Sequence, residues 1–311
     1  MNTGLKKNIF FTLIFATLFY FIFLIYSDYE VVINSIVAFP ITKFIFTLLL
    51  ITISIILKFI RWHYYIFVLK IRVTFLDSVI VFLAGLIMSI SPGKIGELLK
   101  SYLIKKRYDI PISKTLPIIF AERVIEFLAL IILGTIGVTY LKISGYTFIL
   151  FFFSIAVIAF ILFTRKQVIT KLIIFFTKLN IVKKNIHNLE IFKNSLSQLL
   201  EMKPFLYTFG ISIAAWIVEC LAFYSIIYEF DTFAAQLWSI FVYLIAILFG
   251  AISMLPGGIG STEASLTYLI TQNGVSENIA ISSTILIRVS TLWFSVLVGF
   301  LSLFVFYVKK K

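Results

Sequence analysis

Residues 255–263 read LPGGIGSTE and residues 91–97 read SPGKIGE, so Pro-Gly-x-Ile-Gly followed by a glutamate occurs twice in the chain. Each copy interrupts a long apolar stretch, at 233–273 and 75–105 respectively. Proline removes a helical hydrogen bond and glycine accepts turning backbone, so a continuous helix is disfavoured at both places. A kinked full crossing is one interpretation of each stretch. A re-entrant pair of half-helices is the other interpretation, and the charge pattern described below favours it.

The composition around these breaks is typical of an integral membrane protein. Of the 311 residues, 61% are hydrophobic and 13% are charged, against about 45–50% and about 25% in soluble domains. Apolar runs that are long enough, or nearly so, to cross about 30 Å of hydrocarbon lie at 8–27, 40–60, 115–140, 146–164, 205–228 and 278–306. We predict an all-α polytopic membrane protein with six transmembrane helices plus two re-entrant half-helix pairs.

The distribution of basic residues sets the orientation. With a cytoplasmic N-terminus and two re-entrant segments, most of the 27 Lys and Arg residues fall in cytoplasmic regions, among them Arg61, Lys70, Lys100 and Lys114. This is the arrangement that the positive-inside rule favours. If either broken segment crossed singly, the following loops would change sides and the pattern would degrade. Both termini are therefore predicted to be cytoplasmic, in a protein of the plasma membrane.

The two halves of the chain also repeat one another. Residues 1–143 and 144–311 share the order span, span, broken segment and arginine-bearing span, and the arginines are Arg123 and Arg288. By the charge count, the first broken segment enters from the cytoplasm and the second from outside, so the copies are inverted. Inverted repeats with interrupted helices are typical of transporters.

The second half differs by a basic insertion at 165–204. Apolar residues recur in it at helical spacing, which predicts one or two amphipathic helices lying on the inner leaflet. One interpretation is a cytoplasmic cap anchored by its positive charge. The other is a segment that gathers anionic inner-leaflet lipids, since each lysine near such a leaflet contributes about 1 kcal/mol.

Arginines deep in apolar spans demand an explanation. A charge at the centre of a bilayer costs from about 2.5 to more than 10 kcal/mol, so Arg123 and Arg288 require a partner or a polar cavity. Glu126 shares the helical face of Arg123, and a match in depth suggests a pair between Glu219 and Arg288. Thr284, Thr291 and Ser295 continue a polar stripe from Arg288. The structural alternative is that these are buried ion pairs that hold the bundle together.

The start of each second half-helix is a candidate anion site. Unpaired N–H groups and a positive dipole end favour phosphate there, and Lys94 adds a charge in the first copy. Glu97 and Glu263 lie near these starts, where they either satisfy the N–H groups or hold Arg123 and Arg288 when substrate is absent.

The predicted substrate-binding residues are Pro92, Gly93, Lys94, Gly96, Glu97, Glu122, Arg123, Glu126, Glu219, Pro256, Gly257, Gly258, Gly260, Ser261, Thr262, Glu263 and Arg288. No catalytic residue, cofactor or metal site is predicted, because the chain has no Ser-His-Asp, HExxH, paired-aspartate or nucleotide-binding motif. The basic charge is explained by membrane orientation, so no nucleic-acid partner is expected.

Four stretches of the chain resemble a known family. SPGKIGELLK at 91–100, IIFAERVIEFLALI at 118–131, LPGGIGSTEASL at 255–266 and the span of Arg288 are similar to the lysylphosphatidylglycerol synthase transmembrane region, or flippase-like domain family. The resemblance implies a two-repeat bundle with re-entrant helices that moves lipids between leaflets. Some members translocate lysylphosphatidylglycerol and support antimicrobial peptide resistance, and others are linked to lipid-carried sugars in glycan assembly.

The resemblance also implies where catalysis belongs. In two-part members, a soluble C-terminal domain transfers the aminoacyl group, and we expect this chain, which ends at Lys311 after its last span, to lack that domain. A family-based name would read phosphatidylglycerol lysyltransferase, but we expect no enzyme activity.

We expect a flippase-like or scramblase-like lipid translocase whose substrate enters a polar cavity between the repeats. One alternative is translocation of polyprenyl-phosphate or its sugar conjugate. Another, from a different class, is a membrane-embedded transferase with a lipid-linked donor. Membrane phospholipid and a separate synthase or glycosyltransferase are the expected partners.

Overall fold

The structure is a computed structural model that describes residues 29–91, 96–141, 186–230 and 238–308. In chain order, the α-helices in these ranges are α1 (Tyr29–Ala38), α2 (Ile41–Val68), α3 (Phe75–Gly85), α4 (Leu98–Tyr108), α5 (Ile112–Leu141), α6 (Ile186–Leu199), α7 (Met202–Phe230), α8 (Trp238–Ile252), α9 (Ser261–Gln272), α10 (Glu277–Arg288) and α11 (Phe294–Val308). No strand occurs in the described ranges, which agrees with the predicted all-α class.

Helices occupy four of the six predicted crossings. Long, strongly apolar helices occur at α2, at α7 and at the continuous unit Glu277–Val308, which joins α10 to α11 through a π-helical turn. The predicted crossing at 115–140 is the 30-residue α5, about 45 Å long at 1.5 Å per residue. The predicted crossings at 8–27 and 146–164 lie outside the described residues.

The first broken segment is interrupted where its sequence predicts. Helix α3 passes into a 3₁₀ turn, Leu86–Ile90, and α4 begins at Leu98, while residues 92–95 lie outside the described part. With its 3₁₀ turn, the first half runs over 16 residues, Phe75–Ile90, and α4 has 11, whereas a crossing needs about 20.

The two short helices of this first segment end close together. The Tyr108 hydroxyl, at the end of α4, donates to the Asp77 carboxylate at the start of α3. The Arg107 guanidinium lies 3.1 Å from the same carboxylate. The Thr74 N–H, just before α3, donates to the Tyr108 hydroxyl at 3.2 Å. The chain therefore enters and leaves this segment at one end.

The second broken segment is a helical hairpin. Helix α8 ends at Ile252, a 3₁₀ turn occupies Pro256–Gly258, and α9 packs back along α8. Gly257, Gly258 and Gly260 have φ angles of 61°, 67° and 91°, which lie in the region that only glycine enters without strain. The glycines of the motif therefore make the reversal of the chain possible.

The described residues fall into two compact units, which we describe separately. One is drawn from the ranges Met1–Ser54, Gly85–Gly96 and Trp216–Leu301. The other is drawn from Ile55–Ala84, Glu97–Ala215 and Ser302–Lys311. The boundaries of the two predicted repeats, 1–143 and 144–311, stay a prediction.

In the first unit, the tips of the two broken segments touch. The turn Leu86–Ile90 contacts the turn Pro256–Gly258, and Ile90, Ile259 and Leu292 form a buried apolar cluster beside this contact. Helix α9 also packs on α10, and α10 packs on α1. The turn that precedes the first motif and the turn of the second motif, far apart in sequence, thus share one apolar centre.

In the second unit, α6 packs against α5. Leu196 and Leu199 are buried, and the ring centroids of Phe120 and Phe192 lie 6.5 Å apart. The prediction of a helix in the later part of the basic segment is thus correct. Leu196 and Leu199 face protein in the structure, and the predicted position of the helix on the inner leaflet stays a prediction. Residues 165–185 lie outside the described part.

Gly299 provides a test of the packing in the first unit. A Cβ at this position would lie 2.3 Å from the Ile87 nitrogen. Gly299→Ala should therefore lower the free energy of unfolding by about 1–3 kcal/mol through overpacking. Gly210→Ala is the matched control, because nothing lies within 4 Å of its added Cβ. Thermal unfolding in detergent measures both, and equal melting temperatures for the two variants would contradict the close approach.

Candidate functional site

Six charged side chains form a closed ring in the second unit. In order, the ring runs Glu97, Arg123, Glu126, Arg61, Glu122 and Lys100, and the successive N···O distances, back to Glu97, are 3.1, 2.7, 2.5, 3.6, 2.6 and 3.1 Å. Carboxylates and cations alternate, so the formal charge of the ring is zero. Each charge is compensated on both sides.

Three helices, α2, α4 and α5, bring the ring together. Arg61 lies about 10 Å before the end of α2, and Glu122 lies about 15 Å after the start of α5. Ser212 of α7 accepts a hydrogen bond from Arg61 Nη1 at 2.7 Å. Glu97 and Lys100 come from the start of α4, where their i, i+3 spacing places them on one face.

Arg123 is the open member of the ring. Its side chain is 28% exposed, whereas the side chains of the other five are at most 9% exposed. The buried Nε atoms of Arg123 and Arg61 have no hydrogen-bond acceptor in the described structure. A partly open guanidinium is suited to a phosphate or carboxylate, although its unpaired Nε is buried.

The sequence did not identify Arg61 and Lys100 as members of a site. We counted both only among the cytoplasmic cations, and the structure buries them: Arg61 is 2% exposed and Lys100 is 3% exposed. The predicted span ended at residue 60, whereas α2 continues to Val68 because the charge of Arg61 is compensated inside the fold. Trp62 and Tyr65 beside it are also fully buried, so this stretch is packed rather than interfacial.

The first unit contains a second arginine–carboxylate site, at the turn before α9. Arg288 Nε donates to Glu263 Oε1 at 2.7 Å, and Arg288 Nη2 donates to the Gly257 carbonyl at 2.7 Å. The other oxygen of Glu263 accepts the Gly260 N–H at 2.8 Å. One buried carboxylate therefore satisfies the start of α9 and also binds the arginine, so it occupies the place predicted for phosphate.

The carboxylate of Glu219 accepts hydrogen bonds from two hydroxyl groups. The Ser54 hydroxyl donates to its carboxylate at 2.8 Å, and the Tyr243 hydroxyl donates at 3.4 Å. Arg288 binds the Glu263 carboxylate at 2.7 Å, and the suggested pair between Glu219 and Arg288 stays a prediction. In the sequence, the match in membrane depth indicated a partner for Arg288 more strongly than the 25-residue separation of Glu263 and Arg288 did.

Equivalent pairs occur at both broken segments. Glu97 binds Arg123 over a separation of 26 residues, and Glu263 binds Arg288 over 25. The sequence suggested pairing with an arginine as one of two roles for the glutamates. Both pairs are present in the structure. Glu126 also binds Arg123, as its helical spacing predicted.

The remaining predicted residues have simpler surroundings. The Gly96 N–H donates to the Ser91 hydroxyl at 2.8 Å, and the Ser261 hydroxyl lies 3.3 Å from the Phe249 carbonyl. Thr262 is buried, and Pro256 begins the 3₁₀ turn. Thr284 meets the Thr267 hydroxyl, while Thr291 and Ser295 donate to their own helix. Pro92, Gly93 and Lys94 lie outside the described residues.

The model of one protein family, described as the lysylphosphatidylglycerol synthase TM region, matches residues 9–299. This chain belongs to that family. A UPF0104 membrane protein of Methanocaldococcus jannaschii is 28% identical over 215 residues, which are 68% of this chain and 91% of that protein. Another from the same organism is 24% identical over 301 residues, covering 89% and 87%. A UPF0104 membrane protein of Methanothermobacter thermautotrophicus is 30% identical over 103 residues, covering 33% and 30%.

The family and the apolar helices agree on the class of the molecule. The relatives are named as membrane proteins, and three helices among the described residues are long and apolar enough to span a bilayer. The chain is therefore an integral membrane protein of this family.

The ring should respond to the loss of one member far more than a surface ion pair does. Arg61→Met leaves Glu122 and Glu126 buried without a shared cation, which should cost about 3–5 kcal/mol of unfolding free energy. Adding Glu126→Gln should recover part of this loss. A double-mutant cycle in detergent measures the coupling, and no recovery would contradict the pairing.

A suitable control is the exposed pair between Lys43 and Glu229, at 3.4 Å. Removing Lys43 should cost about 0–1 kcal/mol, because water already solvates both charges. A loss as large as that of Arg61→Met would show that burial does not set the cost.

Proposed function

We propose that this protein translocates a phosphate-bearing lipid between the leaflets of a membrane without a chemical step of its own. The observation that carries the proposal is the buried charge ring with its one partly open arginine. A headgroup passing through hydrocarbon needs polar partners along its path, and ionisable side chains inside apolar helices usually serve such a path. The all-helical fold and the family are consistent with this role.

The proposed architecture is six crossings plus two re-entrant half-helix pairs in inverted repeats. Two features support it. The first broken segment begins and ends at one place, through Asp77 and Tyr108, and α9 folds back along α8. Irregular backbone at membrane depth is tolerated only where protein covers it or where it lines a polar cavity. The contact between the two turns provides such cover.

The proposed site for the headgroup phosphate is Arg123. Its guanidinium is held by Glu97 and Glu126, and a phosphate that approaches its open side would replace Glu97 as the partner. Lys100, 3.1 Å from Glu97, would retain that carboxylate. The exchange allows the headgroup to bind and leave while Glu97 keeps one cation as its partner.

Arg288 has a different proposed role, which is to position the tip of the second broken segment. It joins Glu263 to the Gly257 carbonyl in a turn with left-handed glycines. Such a turn leaves carbonyl groups without helical partners, and a buried guanidinium supplies the donor. The tip then keeps its shape while the headgroup moves.

We place the protein in the plasma membrane with both termini in the cytoplasm, on the positive-inside pattern. Lysylphosphatidylglycerol is the first candidate substrate, because the family takes its name from the synthase of that lipid. A polyprenyl-phosphate conjugate is the second, since it presents the same phosphate. A separate synthase or glycosyltransferase would then supply the lipid.

Purified protein in liposomes tests the proposal directly. Fluorescent phospholipid in the inner leaflet should become accessible to a membrane-impermeant quencher when the protein is present and not in protein-free liposomes. A new covalent lipid product, found by mass spectrometry, would instead indicate a transferase. Equal accessibility with and without protein, across lysyl-bearing and prenyl-phosphate lipids, would contradict translocation.

Arg123→Lys separates binding from folding. The lysine keeps the charge of the ring, so the melting temperature should stay near that of the native chain. A lone ammonium cannot form the paired hydrogen bonds that a guanidinium gives to phosphate, so translocation should slow by about tenfold or more. Wild-type rates in both Arg123→Lys and Arg123→Gln would exclude Arg123 from the headgroup site.

Arg288→Lys tests the role of the tip. One ammonium cannot replace the fork to Glu263 and Gly257, so membrane insertion should be normal while translocation falls several-fold. The matched control is Thr291→Val, in the same continuous helical unit, because the Thr291 hydroxyl donates to the Ile287 carbonyl of its own backbone at 2.7 Å. Equal rates in the two variants would argue against a role for the tip.

A further inference from the structure

A cavity of about 480 Å³ lies in the second unit, apart from the charge ring. It is lined by Leu69, Lys70, Pro111, Lys114, Ile191, Asn194, Ser195 and Gln198. Three elements meet there: the chain after α2, the start of α5 and one face of α6. The cavity is partly open to its surroundings.

The lining of this cavity is basic. Lys70 and Lys114 both line it, and no aspartate or glutamate does. Within the described part of the structure, neither ammonium group has an ion-pair partner. The cavity therefore favours an anion. The start of α5 adds to this preference, because the first N–H groups of a helix carry partial positive charge.

The opposite wall is uncharged and polar. Asn194 and Gln198 are four residues apart, so they share one face of α6. Their amides offer both donors and acceptors, which is what hydroxyl groups require. The Ser195 hydroxyl, in a side chain that is 6% exposed, lies between them. This wall is suited to a hydroxylated group attached to the anion.

The position of the cavity identifies the source of the ligand. Lys70 comes two residues after the end of α2, a helix long and apolar enough to cross a bilayer. Lipid headgroups lie at the level where such a helix leaves the hydrocarbon. Because α2 is longer than the hydrocarbon core is thick, Lys70 lies beyond the hydrocarbon, on the headgroup side.

We propose that this cavity binds the phosphoglycerol headgroup of an anionic phospholipid. The phosphate contacts Lys70 and Lys114, and the glycerol hydroxyls contact Asn194 and Gln198. The site is separate from Arg123 and does not depend on translocation. It gives the helix that follows the basic segment a specific lipid to hold, in place of a general attraction to the leaflet.

Native mass spectrometry of the full-length protein in detergent tests this proposal, with phosphatidylglycerol and phosphatidylcholine titrated separately. One phosphatidylglycerol should bind more tightly than any phosphatidylcholine. Lys70→Gln with Lys114→Gln should weaken that binding by about tenfold or more, because each lysine contributes to the attraction. The control is Lys105→Gln, which removes one exposed lysine of α4 that does not line the cavity.

Further arms identify the ligand chemistry. Asn194→Leu should reduce the preference for phosphatidylglycerol over phosphatidic acid, which lacks the glycerol hydroxyls. Soluble glycerol 3-phosphate should compete only weakly, and competition as strong as that of the lipid would overturn the lipid assignment in favour of a free phosphate ester. If the double lysine variant melts early, Lys114→Gln alone provides the test. Unchanged affinity in the lysine variants, or an equal loss in Lys105→Gln, would overturn the site.

Discussion

A guanidinium bound to a carboxylate fixes each broken segment to the long helix that follows it. At the second break, Arg288 binds Glu263 and the Gly257 carbonyl, and Glu263 also accepts the Gly260 N–H. The left-handed glycines reverse the chain, the reversal leaves backbone groups without helical partners, and the ion pair supplies partners. In an apolar surrounding, the glycine turn, its unpaired backbone groups and the ion pair depend on one another. The motif and the distant arginine are therefore one structural unit.

The ring applies the same constraint to six charges. Burying any one of them alone would cost several kcal/mol, and the alternation of signs offsets that cost only while every member is present. The net charge of zero explains how α2 and α5 can carry Arg61, Glu122, Arg123 and Glu126 inside an apolar bundle. The partial exposure of Arg123 then makes it the member at which a partner can be exchanged with the least disturbance.

The sequence predicted what depends on local pattern. Apolar length predicted α2, α5, α7 and the unit Glu277–Val308, and the Pro-Gly motifs predicted both breaks. It failed where a contact between distant segments reverses a local preference. Arg61 and Lys100 resemble solvated cations in their own sequence context, and only the carboxylates of α5 and the start of α4 allow their burial. The Glu263 partner of Arg288 was foreseen only as one alternative, because sequence distance does not reveal which face a half-helix presents.

The neutrality of the ring also constrains the lipid under the proposed function. A phosphate that binds Arg123 adds negative charge to a group of side chains that is already balanced. A headgroup that also carries an ammonium restores the balance, because that ammonium can take the place beside Glu97 that Arg123 gives up. A purely anionic headgroup instead leaves Glu97 with Lys100 alone, which Glu122 also engages at 2.6 Å. Under the proposed function, a phospholipid whose headgroup carries an ammonium therefore suits the ring better than a plain anionic one, for the same electrostatic reason that keeps its six members together.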